Sequence, residues 1–525
     1  MNEPARTMSS SSSSSRAVDY EALEATTSIE DITEDELNRE ILRSLSDDDA
    51  KLSHLRLCSL NDLEVNGAED GDYHPGSSEE LGWLGHFAKK STRFEGFCMS
   101  GSKSDVFDNC SEQSVDRFFE DLGKCHHIKR MDFSFTDLSE IIHKLKSAMK
   151  NNSITHWEML ECYMGDGVSE TTFLFNVLRE MKSLKELSIS YEYGTVQGLA
   201  IFDDIVMAGY IASLASCTGT QILNLRGLCL SAHSCAALSA IFPRMAGLNT
   251  LDLSRNLIGD DCVEVLVRGL VECKQLQELI LDKNRISDDG LEVLIQGLPA
   301  GVDLDLAGNE IALARELPLL RFDKLSLANN PLSPGGPRII AASLANPECR
   351  LEELELYETD IGDQGVATIA TSLGSNRRLT HISLADNIAQ TGWKVLLSVL
   401  CNTSSVSATH ASNHTIQSLF LTGFMDLMDA IAPQDVQTML QLNSGQDKNR
   451  VAATKILLCH RHLDMKPLFD RKLDLLPHVV AWLERFAESR PDLKLSSIFE
   501  FVRAMPMDVV DKVAGKKGQK RSRNA

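Results

Sequence analysis

The chain has 525 residues, of which 43% are hydrophobic and 24% are charged. That length exceeds what one hydrophobic core usually organises, so we expect either several domains or a repeat array. The 75 acidic residues against 52 basic ones give a net charge of −23, which disfavours a nucleic-acid binder, and the sequence has no apolar run long enough to span a membrane.

The first predicted element is a disordered N-terminus that covers residues 1–49. An unbroken run of serines extends from Ser9 to Ser15, and acidic side chains follow it with few aromatic ones among them. Such a composition cannot bury enough apolar surface to offset the entropy lost on ordering. We expect at most a transient helix near Glu34–Leu45.

The middle of the chain, residues 50–415, repeats the pattern L-x-x-L-x-L-x-x-N. A clear copy consists of Leu248, Leu251, Leu253 and Asn256. The ninth positions of the better copies fall at residues 228, 256, 284, 309, 330, 359, 387 and 413. Looser copies precede them, beginning with 52–57, and a worn last copy covers 405–413. Regular spacing of this kind indicates a repeat architecture.

Each copy predicts a strand, a turn and a helix. The alternating leucines form a short strand with one buried face, the Asn bonds the backbone of the turn, and stretches such as 260–273 have helical apolar spacing. Such units must stack to bury their apolar faces, which predicts an α/β solenoid: a horseshoe with parallel strands inside and helices outside. The short copies around 310–325, with Pro318, leave no room for a full helix.

The C-terminal part of the chain does not continue the repeat. Residues 416–508 have helical apolar spacing and predict an all-α region that covers the open end of the repeats. Residues 509–525 form a basic disordered tail. It is a nuclear import signal, a segment that masks an acidic surface of the same chain, or merely a soluble end. The 13 scattered cysteines are typical of reduced thiols, so we expect a cytoplasmic or nuclear protein.

The inner strand face is the predicted binding surface. Positions 3, 5 and 7 of each copy point away from the core because side chains alternate along a strand. In ten copies these 30 positions hold ten acidic residues and three basic ones, Arg130, Arg226 and Lys324. The candidate partner-binding residues are Asp132, Glu158, Asp252, Glu278, Asp282, Asp303, Asp305, Glu353, Glu355 and, as an aromatic anchor, Tyr357. The alternative is a solvated face that only aids solubility.

No catalytic, cofactor or metal site is predicted. The sequence has no phosphate-binding loop, kinase motif set or serine-hydrolase elbow. Two clusters contain possible metal ligands, 125–127 (Cys-His-His) and 459–462 (Cys-His-Arg-His). Neither has the paired ligand spacing that zinc sites normally show.

The repeats resemble the ribonuclease-inhibitor class of leucine-rich repeats. They are mostly 28 or 29 residues long with Asn or Cys in the ninth place, and the Ile-Gly-Asp-Asp sequence at 258–261 is similar to that class where the strand turns into the helix. The resemblance implies the fold and leaves the function open, because similar arrays occur in ribonuclease inhibitor, the Ran GTPase-activating protein and NOD-like receptors.

These observations favour a non-enzymatic scaffold that binds a basic protein partner through the acidic inner face. The alternative is a regulator of a small GTPase, as the resemblance to the Ran GTPase-activating protein would imply. That family carries an acidic tail after its repeats, whereas this chain ends with a basic one.

Overall fold

The computed structural model describes residues 18–66, 69–151, 153–165, 168–192, 203–384, 390–419 and 432–460. The chain divides into two compact units. The first comprises Met1–Ile201 and Ser213–Thr220, and the second comprises Phe202–Ala212 and Gln221–Ala525. In each unit, parallel strands pair in one layer and helices pack behind them, which confirms the predicted α/β leucine-rich-repeat fold.

The first unit contains strands paired in the order β2-β1-β3-β4-β5-β6. The strands are β1 His54–Cys58, β2 Asp72–Tyr73, β3 Gly96–Ser100, β4 Arg130–Ser134, β5 His156–Leu160 and β6 Glu186–Ser190. The helices are α1 Tyr20–Leu23, α2 Ile29–Ile32, α3 Glu36–Ser46, α4 Leu60–Asn66, α5 Ser78–Lys90, α6 Lys103–Val106, α7 Glu112–Leu122, α8 Ile142–Asn151 and α9 Val168–Leu178, with 3-10 turns at Leu138–Glu140 and Leu214–Ser216.

The N-terminal segment is helical where the structure describes it, so the prediction of disorder over residues 1–49 is wrong for residues 18–49. Helix α3 buries Ile41, Leu42 and Leu45, and it packs against α5. Asp35 caps its first turn by accepting the N–H of Asn38 at 2.9 Å. Three buried apolar side chains on one helix face are enough to dock it, although the average composition of the segment is polar. Residues 1–17 lie outside the described part.

The second unit contains strands paired in sequence order from β7 to β13. The strands are β7 Ile222–Asn224, β8 Thr250–Asp252, β9 Glu278–Ile280, β10 Asp303–Asp305, β11 Lys324–Ser326, β12 Glu353–Glu355 and β13 His381–Ser383. The helices are α10 Asp204–Ser213, α11 Ala232–Ile241, α12 Asp260–Leu270, α13 Asp288–Gly297, α14 Gly336–Ala345, α15 Gly362–Leu373, α16 Gln390–Leu400, α17 Val406–Ala411, α18 Gln434–Asn443 and α19 Lys448–Cys459, with a 3-10 turn at Phe242–Arg244.

A ladder of buried side chains joins the strands of the second unit. The central residue of each strand pairs with the central residue of the next. These residues are Leu223, Leu251, Leu279, Leu304, Leu325, Leu354 and Ile382, and each is at most 2% exposed. Burying one such side chain contributes about 2 kcal/mol, so the periodic leucines of the sequence account for the stacking.

The ninth-place asparagines form a second ladder, which satisfies the backbone of the turns. Asn284 accepts the N–H of Ile258 at 3.1 Å and donates to the carbonyls of Leu253 and Leu281 at 3.0 Å. The side chains of Asn256, Asn309 and Asn330 make corresponding bonds. In the first unit Cys162 occupies this place, and its thiol donates to the carbonyl of Phe133 at 3.3 Å. Each buried turn is therefore tied to the neighbouring repeat.

The segment between β10 and β11 is not helical in the structure, as the short repeat spacing predicted. A carboxylate from the previous repeat supports it instead. Asp288, at the start of α13, accepts the N–H groups of Ala312, Leu313 and Ala314 at 3.0, 2.8 and 2.8 Å. One repeat earlier, Asp260 at the start of α12 supports the turn into α13 in a similar way, by accepting the N–H of Gly290 at 3.0 Å.

The last repeat differs from the prediction. Residues 405–413, expected to be its strand, instead hold the helix α17. The strand position lies further on, where Ser418 bridges His381 and accepts the N–H of Ile382 at 3.1 Å. Asn413 turns the chain between them by accepting the N–H groups of Thr415 and Ile416 at 2.9 Å. The repeats thus extend beyond the predicted boundary at residue 415.

Helices α18 and α19 follow the last repeat, in the region predicted to be all-α. Asn443 in α18 donates to the carbonyl of Ile416 at 2.6 Å. Lys455 in α19 is fully buried and donates to the carbonyls of Leu400 and Asn413 at 2.6 and 3.0 Å. These contacts hold the two helices against the last repeat. The remainder of the predicted helical region and the basic tail, residues 420–431 and 461–525, lie outside the described part.

Candidate functional site

The strand face of the second unit contains a shallow cavity of about 220 Å³. It is lined by side chains of four neighbouring strands, β9 to β12, because the odd positions of each short strand project from the same face. The lining residues are Glu278, Asp303, Leu304, Asp305, Lys324, Leu325, Ser326, Glu353 and Glu355. Five of the candidate residues therefore meet in one place.

The charges around this cavity, which we call the acidic cavity, are poorly balanced. Its lining has five carboxylates and one ammonium group, that of Lys324. The Lys324 ammonium lies 3.8 Å from a carboxylate oxygen of Asp303 and 3.4 Å from one of Glu353. Both pairs are partly exposed, so each contributes little stability. The cavity retains an excess of negative charge.

Several of these carboxyls are held in a poorly solvated environment. Burial raises the pKa of Asp303, Asp305 and Glu355 above their ordinary values, and neighbouring carboxylates add to the effect. Asp305 accepts the N–H of Ala307 at 2.9 Å, and Glu355 accepts the hydroxyl of Ser326 at 2.9 Å. These hydrogen bonds occupy some of the carboxylate oxygens and hold the side chains in position, but their donors carry no positive charge.

Asp252 and Asp282 lie beside Arg226 and do not line the acidic cavity. The guanidinium of Arg226 lies 3.8 Å from a carboxylate oxygen of Asp252 and 3.2 Å from one of Asp282. Asp252 is also buried and accepts the N–H of Ser254 at 2.8 Å. These contacts give Asp252 a structural role, whereas the sequence pattern placed it among the binding residues.

Tyr357 follows β12 on the same face and is half-buried. Burial raises the pKa of its hydroxyl, and the charges of Glu355 and Asp305 raise it further. The ring therefore lies close to the carboxylates of the acidic cavity, where an aromatic side chain can pack against the stem of a bound cation.

In the first unit, two acidic strand residues form ion pairs with one arginine. Arg130 forms ion pairs with Asp132 at 2.6 Å and with Glu158 at 2.9 Å. Burial nevertheless raises the pKa of both carboxyls. Because one guanidinium spans the two acids, this face presents less uncompensated charge than the acidic cavity does.

Metal-ligand geometry is limited in the part of the chain that the structure describes. The one group of three close donor atoms there comprises Glu21, Glu24 and His86. The ammonium of Lys90 already binds Glu24 at 2.6 Å and Glu21 at 3.3 Å, so the group forms an ion-pair network.

The two cysteine–histidine clusters of the sequence form no metal-ligand group of three in that part of the chain either. Cys125 is buried and donates to the carbonyl of Asp121 at 3.7 Å. His460 is buried and bonds the hydroxyl of Thr409. Residues 461 and 462 lie outside the described part.

The sequence analysis overlooked one residue of the acidic cavity and two residues outside it. Ser326 lines the acidic cavity and bonds Glu355, but it was passed over because the strand positions were compared by charge. Asp260 was noted only as part of a turn motif and no role was assigned to Asp288, although the carboxylate of each holds the next repeat. Their recurrence at the start of successive helices was the signal for that role.

None of the helices among the described residues is both long and apolar enough to cross a membrane.

Comparison with known proteins gives relatives with repeats of the same type. The NACHT, LRR and PYD domains-containing protein 14 of Homo sapiens is 36% identical over 74 residues, which are 14% of this chain and 7% of that protein. Human NACHT, LRR and PYD domains-containing protein 5 is 26% identical over 213 residues, 40% of this chain and 16% of the relative. Ribonuclease inhibitor of Sus scrofa is 27% identical over 215 residues, 41% of this chain and 42% of the inhibitor. The matches thus cover less than half of each relative.

Two solved structures show a weak likeness to this chain. An internalin from Listeria monocytogenes matches with a TM-score of 0.38 and 14% identity over 70% of this chain and 94% of the internalin chain. A TLR13–ssRNA13 complex matches with a TM-score of 0.34 and 15% identity over 66% of this chain and 48% of the matched one. No protein-family model matches the chain. The repeats, their asparagine ladder and the sequence relatives together identify a leucine-rich-repeat protein of the ribonuclease-inhibitor-like class.

Proposed function

We propose that the chain is a non-enzymatic protein-interaction scaffold whose acidic cavity binds a basic segment of a protein partner. One observation carries the proposal: among the described residues, one open cavity is lined by five acids and a single cation, Lys324. The acids are Glu278, Asp303, Asp305, Glu353 and Glu355. Leucine-rich-repeat relatives make a scaffold the general expectation. The excess negative charge specifies the chemistry of the partner.

The partial burial of the carboxylates supports binding over mere solubility. A face that only keeps the protein in solution gains most from fully hydrated charges. Here burial raises the pKa of Asp303, Asp305 and Glu355, which means that their charged forms are disfavoured. A lysine or arginine side chain that enters the acidic cavity would relieve this cost, so the interaction would be stronger than one at an exposed acidic surface.

The raised pKa values also give a pH signature. These carboxyls take up protons at a higher pH than ordinary ones, so their charge is lost earlier as the pH falls. Affinity for a cationic partner should therefore decline at a higher pH than for a fully exposed acidic surface, and it should weaken with added salt.

The test is a charge-reversal experiment on the full chain. The site variant carries Glu278→Lys, Asp303→Lys and Glu353→Lys, the less buried members of the acidic cavity. The matched control carries Glu272→Lys, Glu316→Lys and Glu348→Lys, three exposed acids outside the strands, so that both variants have the same net charge. Circular dichroism checks that both fold.

Binding is measured with a fluorescent oligolysine peptide and by pull-down from the source cell. We expect the site variant to lose about tenfold or more in affinity and the control to lose much less. Equal losses in the two variants would show that only net charge matters, and the acidic cavity would then be a solvated face. A GTP-hydrolysis assay with a panel of small GTPases tests the alternative function, and stimulation that survives in the site variant would favour it.

A further inference from the structure

Two cysteines near the end of the described chain lie close together. Cys401 directly follows α16, and Cys459 is the last residue of α19. Their sulfur atoms are 3.5 Å apart although 58 positions separate the residues. A disulfide requires a distance of about 2.05 Å, so a small shift of the two side chains would bring the sulfurs within bonding distance.

The two thiols differ in their access to solvent. Cys401 is buried, whereas Cys459 is partly exposed. Of the two residues, Cys459 is therefore the one that a small oxidant in solution meets first, and the sulfur of Cys401 lies 3.5 Å from its sulfur. This is the arrangement of a reacting cysteine with an adjacent resolving cysteine.

A buried cation lies beside the pair. Lys455 precedes Cys459 by one helical turn and is fully buried, and its ammonium is held by the carbonyls of Leu400 and Asn413. Burial lowers the pKa of Lys455 to about 8, and the two cysteines partly offset that effect. Burial also raises the pKa of Cys401 to about 12, while the charge of Lys455 lowers it. The charge of Lys455 opposes only part of this shift, so Cys401 rests as a thiol and must lose its proton when its sulfur attacks.

The donor geometry favours disulfide chemistry over metal binding. In the described residues, the pair has no third His, Cys, Asp or Glu donor close enough to complete a group of three. Two sulfur ligands alone do not form the four-coordinate site that zinc normally takes.

We propose that Cys401 and Cys459 form a peroxide-sensitive thiol pair whose disulfide fastens α19 to the last repeat. The Cys459 thiolate attacks a peroxide oxygen, so an S–O bond forms, the O–O bond breaks and water leaves after protonation. The sulfur of Cys401 then attacks the Cys459 sulfur and gives up its thiol proton: the S–S bond forms, the S–O bond breaks, and the departing hydroxide takes up a proton and leaves as a second water. The cysteines lose two electrons and hydrogen peroxide is reduced.

The test uses the full chain in its native, reduced state with hydrogen peroxide as the oxidant. Unreacted thiols are alkylated, and the digest is examined by mass spectrometry. We expect a linked Cys401–Cys459 peptide, lighter by about 2 Da than the sum of its parts, to form before exposed Cys229 is modified. Complete modification of Cys229 while Cys401 and Cys459 remain reduced would overturn the proposal, and so would a link that appears only in denaturant.

A second cysteine pair provides the internal comparison. Cys235 and Cys262 share a hydrogen bond in adjacent repeats, and this bond lowers the pKa of Cys262 to about 6. Both are buried, so peroxide reaches them only when the helices open. If Cys262 reacts before Cys459, acidity rather than access governs oxidation and the proposal fails.

Variants assign the roles of the two cysteines. Cys401→Ser should leave a sulfenic acid on Cys459 that dimedone traps, whereas Cys459→Ser should leave Cys401 as a free thiol. Amide exchange in α19 should slow after oxidation and return to its original rate after reduction. A disulfide that leaves this exchange unchanged would contradict the fastening of the helix.

Discussion

At the residue scale, single polar side chains decide whether the buried turns are satisfied. The backbone groups of these turns have no water to bond, so each must find a partner within the protein. The side chain of Asn284 bonds four backbone groups, and the thiol of Cys162 bonds equivalent carbonyls. The difference between an amide and a thiol is that the amide oxygen also accepts an N–H.

Replacing Asn284 with alanine should destabilise the protein strongly. The change leaves the N–H of Ile258 and the carbonyls of Leu253 and Leu281 without their present partner, at a cost of about 3 kcal/mol. Asn284→Cys should recover part of the loss, because its thiol can donate but accepts poorly. Denaturant unfolding of the three forms provides the measurement, and equal stabilities of the alanine and cysteine variants would contradict the assigned role.

His414 should make the last repeat sensitive to acid. Its ring is buried, and burial lowers its pKa from 6.5 to about 4. Between pH 6.5 and about 4, His414 is therefore protonated in the unfolded chain but neutral in the folded chain. Stability is present above this window and is lost as the pH falls through it.

His414→Gln should flatten this dependence by up to about 3 kcal/mol. Glutamine keeps a donor for the carbonyl of His410, which the imidazole contacts at 3.2 Å. Unfolding free energies measured from pH 7 to pH 4 give the slope, and His126→Gln at an exposed position controls for the loss of a histidine. An unchanged slope in His414→Gln would show that other groups govern the acid response.

At the element scale, the repeat that lacks a helix depends on its neighbour. The segment from Leu306 to Asp323 has no internal ladder of helical hydrogen bonds, and the carboxylate of Asp288 takes three of its N–H groups. Arg315 adds ion pairs with Asp289 and Glu292 at 2.6 and 2.9 Å, but these side chains are exposed. We expect Asp288 to be the main support of the segment.

Asp288→Ala should therefore open this segment locally. The amides of Ala312, Leu313 and Ala314 should exchange with solvent about tenfold faster or more, because each loses its acceptor. Asp289→Ala removes an exposed carboxylate one position away and serves as the control. Similar exchange rates in the two variants would mean that the leucines of the segment, rather than Asp288, hold it in place.

At the scale of the whole molecule, leucine spacing was sufficient to predict the fold, because one buried residue per strand dictates how the repeats stack. The candidate site was predicted less completely. Charge counting identified the five acids of the acidic cavity, but it could not reveal that Arg130 and Arg226 pair with other candidates. At the N-terminus, a helix was expected near Glu34–Leu45 but only as a transient one, because average composition hides the apolar face with which α3 docks. The last strand was misplaced because it follows Asn413 in the chain, whereas the repeat pattern places the strand before the Asn.

The net charge of −23 makes the basic tail a candidate intramolecular ligand. We expect deletion of residues 514–525 to tighten binding of oligolysine at low salt, since a tethered basic segment competes for the same carboxylates. Fluorescence anisotropy of the full and shortened chains at two salt concentrations measures the effect. Identical affinities would show that the tail does not mask the acidic cavity.

The asparagine ladder has a consequence for how such a chain can change over time. The joints at Asn256, Asn284, Asn309 and Asn330 use the same pattern of bonds to the preceding repeat. A duplication or loss of one whole repeat would therefore recreate a joint that the chain already makes. The number of repeats can therefore change without altering how neighbouring repeats join. The number of carboxylates offered to a partner can then grow or shrink one repeat at a time.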